Sequence, residues 1–217
     1  MAVENPKDHW RVRSTAEQYE AKRFGGWKGR LYRSLEERAI LKALGVVGPG
    51  SCILDAACGT GRITSLLLRH EFTAVGSDIS IPMMQVARRQ LTNSGGHVTF
   101  SQCDVNFLPY RAASFDAVTC IGLLMHLDAH ARVRALRELA RVSRHHLVVQ
   151  YGCLGVFLRV KTWITNRKAG NVQYPLIETE ICADLERSGL RESARFWVLR
   201  PFSSSVVLLL TKGQVRG

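Results

Sequence analysis

At 217 residues, with 46% hydrophobic and 22% charged side chains, the chain is long enough to bury the core of one α/β domain, and no apolar run approaches the roughly 20 residues a membrane span needs. The formal charge of +12 is spread along the whole length: +4 over residues 1–50, +3 over 51–150 and +5 over 151–217. With 23 arginines to 7 lysines and no basic tail, a solvated basic surface is favoured over a nucleic-acid groove.

In chain order, Ser14-Thr15-Ala16-Glu17 reads as a capping box opening a short helix toward Phe24, after which Gly25, Gly26 and Gly29 are expected to break the chain. Ser34-Leu35-Glu36-Glu37 reads as a second capping box, opening a helix with Leu35, Ile40, Leu41 and Leu44 on its apolar stripe and Gly45 at its C-terminal end. From Pro49-Gly50 onward the pattern alternates. Strands are expected over 51–57, 73–78, 97–104, 115–122 and 147–151, with helices over 62–70, 82–91 and 128–142 between them. Pro82 suits the first turn of its helix, and Asp128 suits the N-cap position of the last. The final third holds helices over 156–166 and 178–187, the second stopped by Gly189. It closes on two β-rich runs, 194–199 and 206–211, joined across 201–205 as an antiparallel hairpin. This βαβα order predicts an α/β fold with a doubly wound, mostly parallel, seven-stranded sheet. No repeat or linker divides it.

The six cysteines (Cys52, Cys58, Cys103, Cys120, Cys153 and Cys182) form no Cys-x-x-Cys pair. Buried free thiols are expected rather than zinc ligands or disulfides. Residues 1–13 lack the apolar core of a signal peptide, and the expected setting is cytoplasmic.

The most informative stretch is Ile53-Leu54-Asp55-Ala56-Ala57-Cys58-Gly59-Thr60-Gly61-Arg62: a strand, an acid, a Gly-x-Gly turn, then a helix striped by Ile63, Leu66 and Leu67. The glycines let backbone approach a ligand, and the helix start offers free N–H groups, so an adenosine-containing cofactor is expected. Three carboxylates end predicted strands. Asp78 lies 19 residues after Gly59, where an acceptor-only carboxylate can take hydrogen bonds from both hydroxyls of a ribose. Asp104 could accept from an adenine amino group. Asp55 could orient the glycine turn or receive an ammonium through water. A dinucleotide fits less well, because the third fingerprint position is Thr64 and Asp55 would sit poorly beside a pyrophosphate.

The segments LDAACGTGR, VGSDIS with PMMQVARR, CDVNFLPY and SFDAVTCIGLLMHL, in that order, resemble class I S-adenosylmethionine-dependent methyltransferases, closest to the group containing the quinone and other small-molecule methyltransferases. The resemblance implies S-adenosylmethionine as cofactor, with S-adenosylhomocysteine as product. It implies that Asp55, Ala57, Gly59 and Gly61 line the methionine end, with Cys58 also among the cofactor-binding residues. Asp78 holds the ribose, Ile79 and Met83 lie against the adenine, and Asp104 and Val105 bind its edge, with Ile121 completing the set. Many members carry glycine where Ala57 stands, which implies a modest change in loop shape. Tyr19 and Arg23 resemble lid residues that cover the cofactor, although a solvated amphipathic helix explains them equally well. The layout expected is one domain: an N-terminal helical lid over 1–48, a cofactor core over 49–152, and a cap helix with the C-terminal hairpin over 153–217.

Methyl transfer from a sulfonium is an in-line displacement, for which the protein supplies alignment, desolvation and sometimes a base. His126, after the fourth strand, is the candidate catalytic base, against the plainer reading of a histidine packed at a helix start. Tyr110 and Tyr151 read as core aromatics before pocket residues, and His145-His146 lacks the neighbours of a metal site. After the fourth strand stands Cys120-Ile121-Gly122-Leu123, not the Asn/Asp-Pro-Pro-aromatic motif of base-amino methylation. Neither a Pro-Cys nucleophile, nor a metal-binding acid there, nor a paired-glutamate loop is present. A small-molecule acceptor is the favoured partner, and a membrane lipid or quinone the alternative. For that alternative, Val156, Val160, Trp163 and Ile164 share a helical face beside Arg159, Lys161, Arg167 and Lys168, a stretch that could rest on an anionic membrane surface or cap the site. A non-catalytic cofactor-binding partner protein and an NAD-dependent oxidoreductase are the readings from other classes. The oligomeric state is not encoded in any pattern here.

Overall fold

The computed structural model describes residues 25–92, 98–153, 176–199 and 205–213. The predicted helix toward Phe24, Tyr19 and Arg23, the segment 156–166 and most of the 201–205 turn lie outside the described residues.

The described chain runs α1 (Gly26–Leu44), β1 (Cys52–Ala56), α2 (Arg62–Arg69), β2 (Thr73–Asp78), α3 (Ile81–Leu91), β3 (Val98–Gln102), β4 (Phe115–Cys120), a 3-10 turn (Leu124–His126), α4 (Ala129–Val142), β5 (Ser143–Gly152), α5 (Glu178–Ser188), β6 (Leu190–Trp197) and β7 (Ser205–Lys212). The strands form one seven-stranded sheet in the order β3-β2-β1-β4-β5-β7-β6. The first five pair in parallel, and β7 is antiparallel to both β5 and β6. The expected doubly wound sheet with a C-terminal antiparallel hairpin is thus the fold.

Side chains alternate across each strand, which gives the sheet two apolar faces. Leu54, Val118, Leu147 and Leu208 face the core under α4 and α5, with Leu136, Leu139 and Ile181. Ile53, Ala117, Val148 and Val207 face the other way, against Ile40 and Leu44 of α1 and Ile63 and Leu67 of α2. Across the first face a buried ion pair ties α4 to α5: Arg132 Nε donates to Asp184 Oδ2 at 2.7 Å, while Arg132 Nη1 donates to the Leu127 carbonyl.

Local signals explain most element ends. Ser80 caps α3 by accepting from the Met83 N–H, with Pro82 in the first turn, and Asp128 caps α4 by accepting from the Ala131 N–H at 2.9 Å. Gly189 ends α5 at φ +70°, a left-handed conformation. One boundary differs from expectation. Ser34 does not open a helix; α1 begins at Gly26 and runs through Gly29 and Ser34 without a break. Side-chain pairing overrides the local signal: Glu37, the residue that would reach back to cap, instead accepts from Arg33 Nε at 2.9 Å and from Arg69 Nη2 at 3.4 Å. β5 also starts earlier than expected, at Ser143 directly after α4.

Candidate functional site

The chain winds outward from β1 through β2 to β3, then returns to place β4 on the other side of β1. The carboxyl ends of these four strands therefore converge, and the switch point falls between β1 and β4. A cavity opens there. It is lined by the β1–α2 loop (Ala57, Cys58, Gly59, Thr60), by Asp78 and Ile79 at the end of β2, by Asp104 and Val105 after β3, and by Ile121 and His126 after β4. Ten residues expected at a cofactor or catalytic site meet in this one cavity: Ala57, Cys58, Gly59, Asp78, Ile79, Met83, Asp104, Val105, Ile121 and His126.

The loop is held in a conformation that side chains resist. Ala57 has φ +59°, Gly59 +54° and Gly61 +83°. Backbone hydrogen bonds from the Cys58 N–H to the Ser77 carbonyl and from the Gly61 N–H to the Cys58 carbonyl, both 2.9 Å, fix the turn. A Cβ on Gly59 would meet no protein atom within 4 Å, so the glycine leaves open space beside the loop. Gly61 serves differently. It is absent from the cavity lining, and a Cβ there would stand 2.9 Å from the Ala87 Cβ, so it lets α2 start against α3.

The Asp78 carboxylate ties the loop to β2. One oxygen accepts from the Gly59 N–H and the other from the Ser80 N–H, each at 2.8 Å. Burial raises its pKa, and backbone N–H donors from Ser80, Gly59 and Ile79 pull against that rise. With about four lone-pair sites, the carboxylate keeps capacity to accept from a ligand hydroxyl. Asp104 accepts from the Asn106 backbone N–H and side-chain amide at 3.0 and 2.9 Å, which shapes the next loop.

Asp55 lies behind the loop and does not line the cavity. It is 1% exposed, accepting from the Thr64 hydroxyl at 2.6 Å and the Thr119 hydroxyl at 3.0 Å. Burial outweighs these bonds and pushes its pKa up to about 6. Thr64 stands where a dinucleotide fingerprint has its third glycine, and its hydroxyl explains the difference. Together with Thr119 it bridges α2 and β4 through Asp55.

Tyr151 is fully buried in the core, and Tyr110 packs edge-on against Phe115 with ring centroids 5.0 Å apart; neither lines the cavity. Several lining residues escape a reading of the sequence, among them Ser77, Cys103, Asn106 and Arg62. Arg62 is anchored from a distance. Its Nη2 meets Glu36 Oε2 at 2.6 Å, and Glu36 Oε1 accepts from Gln150 Nε2, also at 2.6 Å, while the same amide donates to Ser205 Oγ at 2.8 Å. The Gly-x-Gly-Arg string is the available signal for Arg62. Nothing local marks Glu36 as its partner.

Among the described residues, no helix is long and apolar enough to cross a membrane, and no group of three or more His, Cys, Asp or Glu could hold a metal ion.

The profile of a family described as "Methyltransferase domain" matches residues 53–146. Over 95 residues, 43% of this chain, the sequence is 37% identical to "Probable tRNA methyltransferase 9B" of Mus musculus, covering 20% of that protein. Over 111 residues, 48% of this chain, it is 32% identical to "Ubiquinone/menaquinone biosynthesis C-methyltransferase UbiE" of Teredinibacter turnerae, covering 45% of it. The chain therefore spans less than half the length of these relatives. The fold superposes on magnesium protoporphyrin IX methyltransferase (ChlM) from Synechocystis PCC 6803, solved with bound SAH. The TM-score is 0.77 at 22% identity, with 95% of this chain and 98% of that one covered.

Proposed function

Residues 53–146 form a methyltransferase domain of the class I, S-adenosylmethionine-dependent kind, and from that premise we propose that the protein methylates a small organic acceptor at oxygen, nitrogen or carbon. The observation that supports this most is the convergence of Asp78, the open space beside Gly59 and the Asp104 loop on one cavity at the switch point. The residues fit the cofactor. Asp78 would take the ribose hydroxyls, and Ile79, Met83 and Val105 would flank the adenine, with Asp104 at its edge. The loop from Ala57 to Gly59 would follow the methionine portion.

S-adenosylmethionine supplies a methyl group already activated on a sulfonium. The chain's own work is alignment and exclusion of water. The wall after β4, with Ile121, Leu123 and Leu127, is apolar and would face the acceptor. His126 stands on that wall at the end of a short 3-10 turn, where its backbone N–H donates to the Leu123 carbonyl at 2.9 Å. Its imidazole takes the proton that an oxygen or nitrogen acceptor loses as the new bond to carbon forms.

The apolar wall favours a carbon-rich acceptor, and a quinone or lipid is the second reading. The likeness to a quinone C-methyltransferase points the same way. The likeness to a tRNA methyltransferase covers a fifth of that protein. The deciding experiment incubates the protein with methyl-labelled S-adenosylmethionine and fractionated extract, scoring small-molecule, lipid, protein and nucleic-acid pools. Label in the small-molecule or lipid pool is expected. Label confined to nucleic acid or protein would overturn the acceptor class. S-adenosylhomocysteine binding without transfer to any pool would make the protein a non-catalytic binder, and a thermal shift with NAD alone would replace the cofactor.

A further inference from the structure

The N-terminal half of α1 touches the core only through Tyr32 and Leu35, both partly buried. All five buried residues of this 19-residue helix fall in its second half: Glu36, Ala39, Ile40, Ala43 and Leu44. The turns before them also carry Trp27 and Leu31, 66% and 49% exposed. At i and i+4 these two side chains share one face. From residue 25 to 35 there are three cations, Lys28, Arg30 and Arg33, and no acid. The Lys28 ammonium lies 5.6 Å from the Trp27 ring centroid, and Arg33 is held by Glu37 at 2.9 Å.

We infer that this helix end is a docking surface for an anionic lipid bilayer, with Trp27 and Leu31 entering the headgroup boundary and Lys28 and Arg30 meeting lipid phosphates. An exposed tryptophan and leucine one turn apart, ringed by cations, is the composition of an interfacial helix. The alternatives fit less well. A second copy would bring two chains of +12 charge together through their basic faces. A single-stranded nucleic acid would use rings to stack its bases, which Leu31 does not offer. The same helix continues into Glu36 and so to Arg62 on the cavity wall, which links the docking end physically to the site. This inference stands apart from the methyl-transfer reading, since it needs neither cofactor nor acceptor.

The test is co-sedimentation with phosphatidylcholine vesicles, with and without phosphatidylglycerol. Wild-type protein should bind only the anionic vesicles and come off at high salt. The double variant Lys28→Gln/Arg30→Gln should bind roughly 30-fold more weakly, the fold-change for about 1 kcal/mol per removed cation. Trp27→Ser/Leu31→Ser should lose vesicle binding at low salt as well, while both variants keep the wild-type circular dichroism and S-adenosylhomocysteine affinity. No binding by the wild type overturns the inference. So does equal binding by the variants, which would move the contact to another face, or loss in these variants of RNA binding with no vesicle binding at all.

Discussion

Replacing Glu36 by Gln tests whether the site rests on a long-range polar brace. Glu36 is fully buried, its partner Arg62 has a side chain only 10% exposed, and their 2.6 Å contact has little water to take its place. Removing one charge from a buried pair costs about 3–5 kcal/mol, because the other charge is left in a poor solvent. Glutamine keeps the shape and an acceptor for Gln150, and Arg62 retains slight access to solvent, so roughly 2–4 kcal/mol is expected. For a chain of this size that is on the order of 6–12 °C in melting temperature. Urea unfolding at neutral pH measures it, with the slope expected to be unchanged. The double variant Glu36→Gln/Arg62→Met should recover much of the loss, since no buried charge remains. A loss below about 0.5 kcal/mol, or strict additivity of the two single variants, would show that the brace carries no net coupling.

Further outcomes follow from the same geometry. Asp78→Ala should weaken S-adenosylhomocysteine binding by roughly 1–3 kcal/mol in calorimetry, the cost of lost charge-assisted hydrogen bonds; unchanged affinity would remove the ribose assignment. His126→Ala should lower turnover far more than cofactor affinity, and wild-type turnover would return His126 to a packing role. The folded Asp55 carboxyl, at about 6, lies above the roughly 3.9 of an unfolded aspartate, so between those values the folded state holds a proton the unfolded state has lost. Stability should therefore fall as pH rises from about 4 to 6, by up to ~3 kcal/mol, and level off above; urea midpoints across that range should show Asp55→Asn with a flatter profile, and an identical slope would refute the assignment. Finally, Ala57→Gly should be within about 0.5 kcal/mol of wild type, relief of its positive φ offsetting the added freedom of the unfolded chain. Gly61→Ala should lose roughly 2–4 kcal/mol, from φ +83° and the 2.9 Å approach to Ala87.

What could be read from the sequence was whatever short-range pattern dictates. Apolar runs alternating with amphipathic helices gave the parallel core, and Ser80, Asp128 and Gly189 mark their own boundaries because a cap acts within one turn. The spacing from Gly59 to Asp78 also proved physical, since the carboxylate bonds the Gly59 N–H directly. Ser34-Leu35-Glu36-Glu37 has the spelling of a capping box, yet Glu37 bonds Arg33 and Arg69, and Glu36 pairs with Gln150, 114 residues away, and with Arg62. No local window contains that information. Arg62 is illegible for the same reason, because its anchor lies in an element that reads as an independent helix.

Asp55 carries the same lesson into the site. As the acid nearest the glycine turn, it belongs by sequence position on the ligand side. Strand alternation sends it the other way: Asp55 is paired in register with Thr119 across the β1–β4 switch point, and its carboxylate bonds Thr119 and Thr64 under the loop. It therefore acts on any ligand through the backbone it supports. Charge at that position still matters, because an anion enclosed beneath the loop biases the field above it toward a cation. That is the sign a sulfonium and an ammonium bring, and the opposite of what a pyrophosphate would require. An ionised Asp55 would thus favour a cationic group at this loop without touching it.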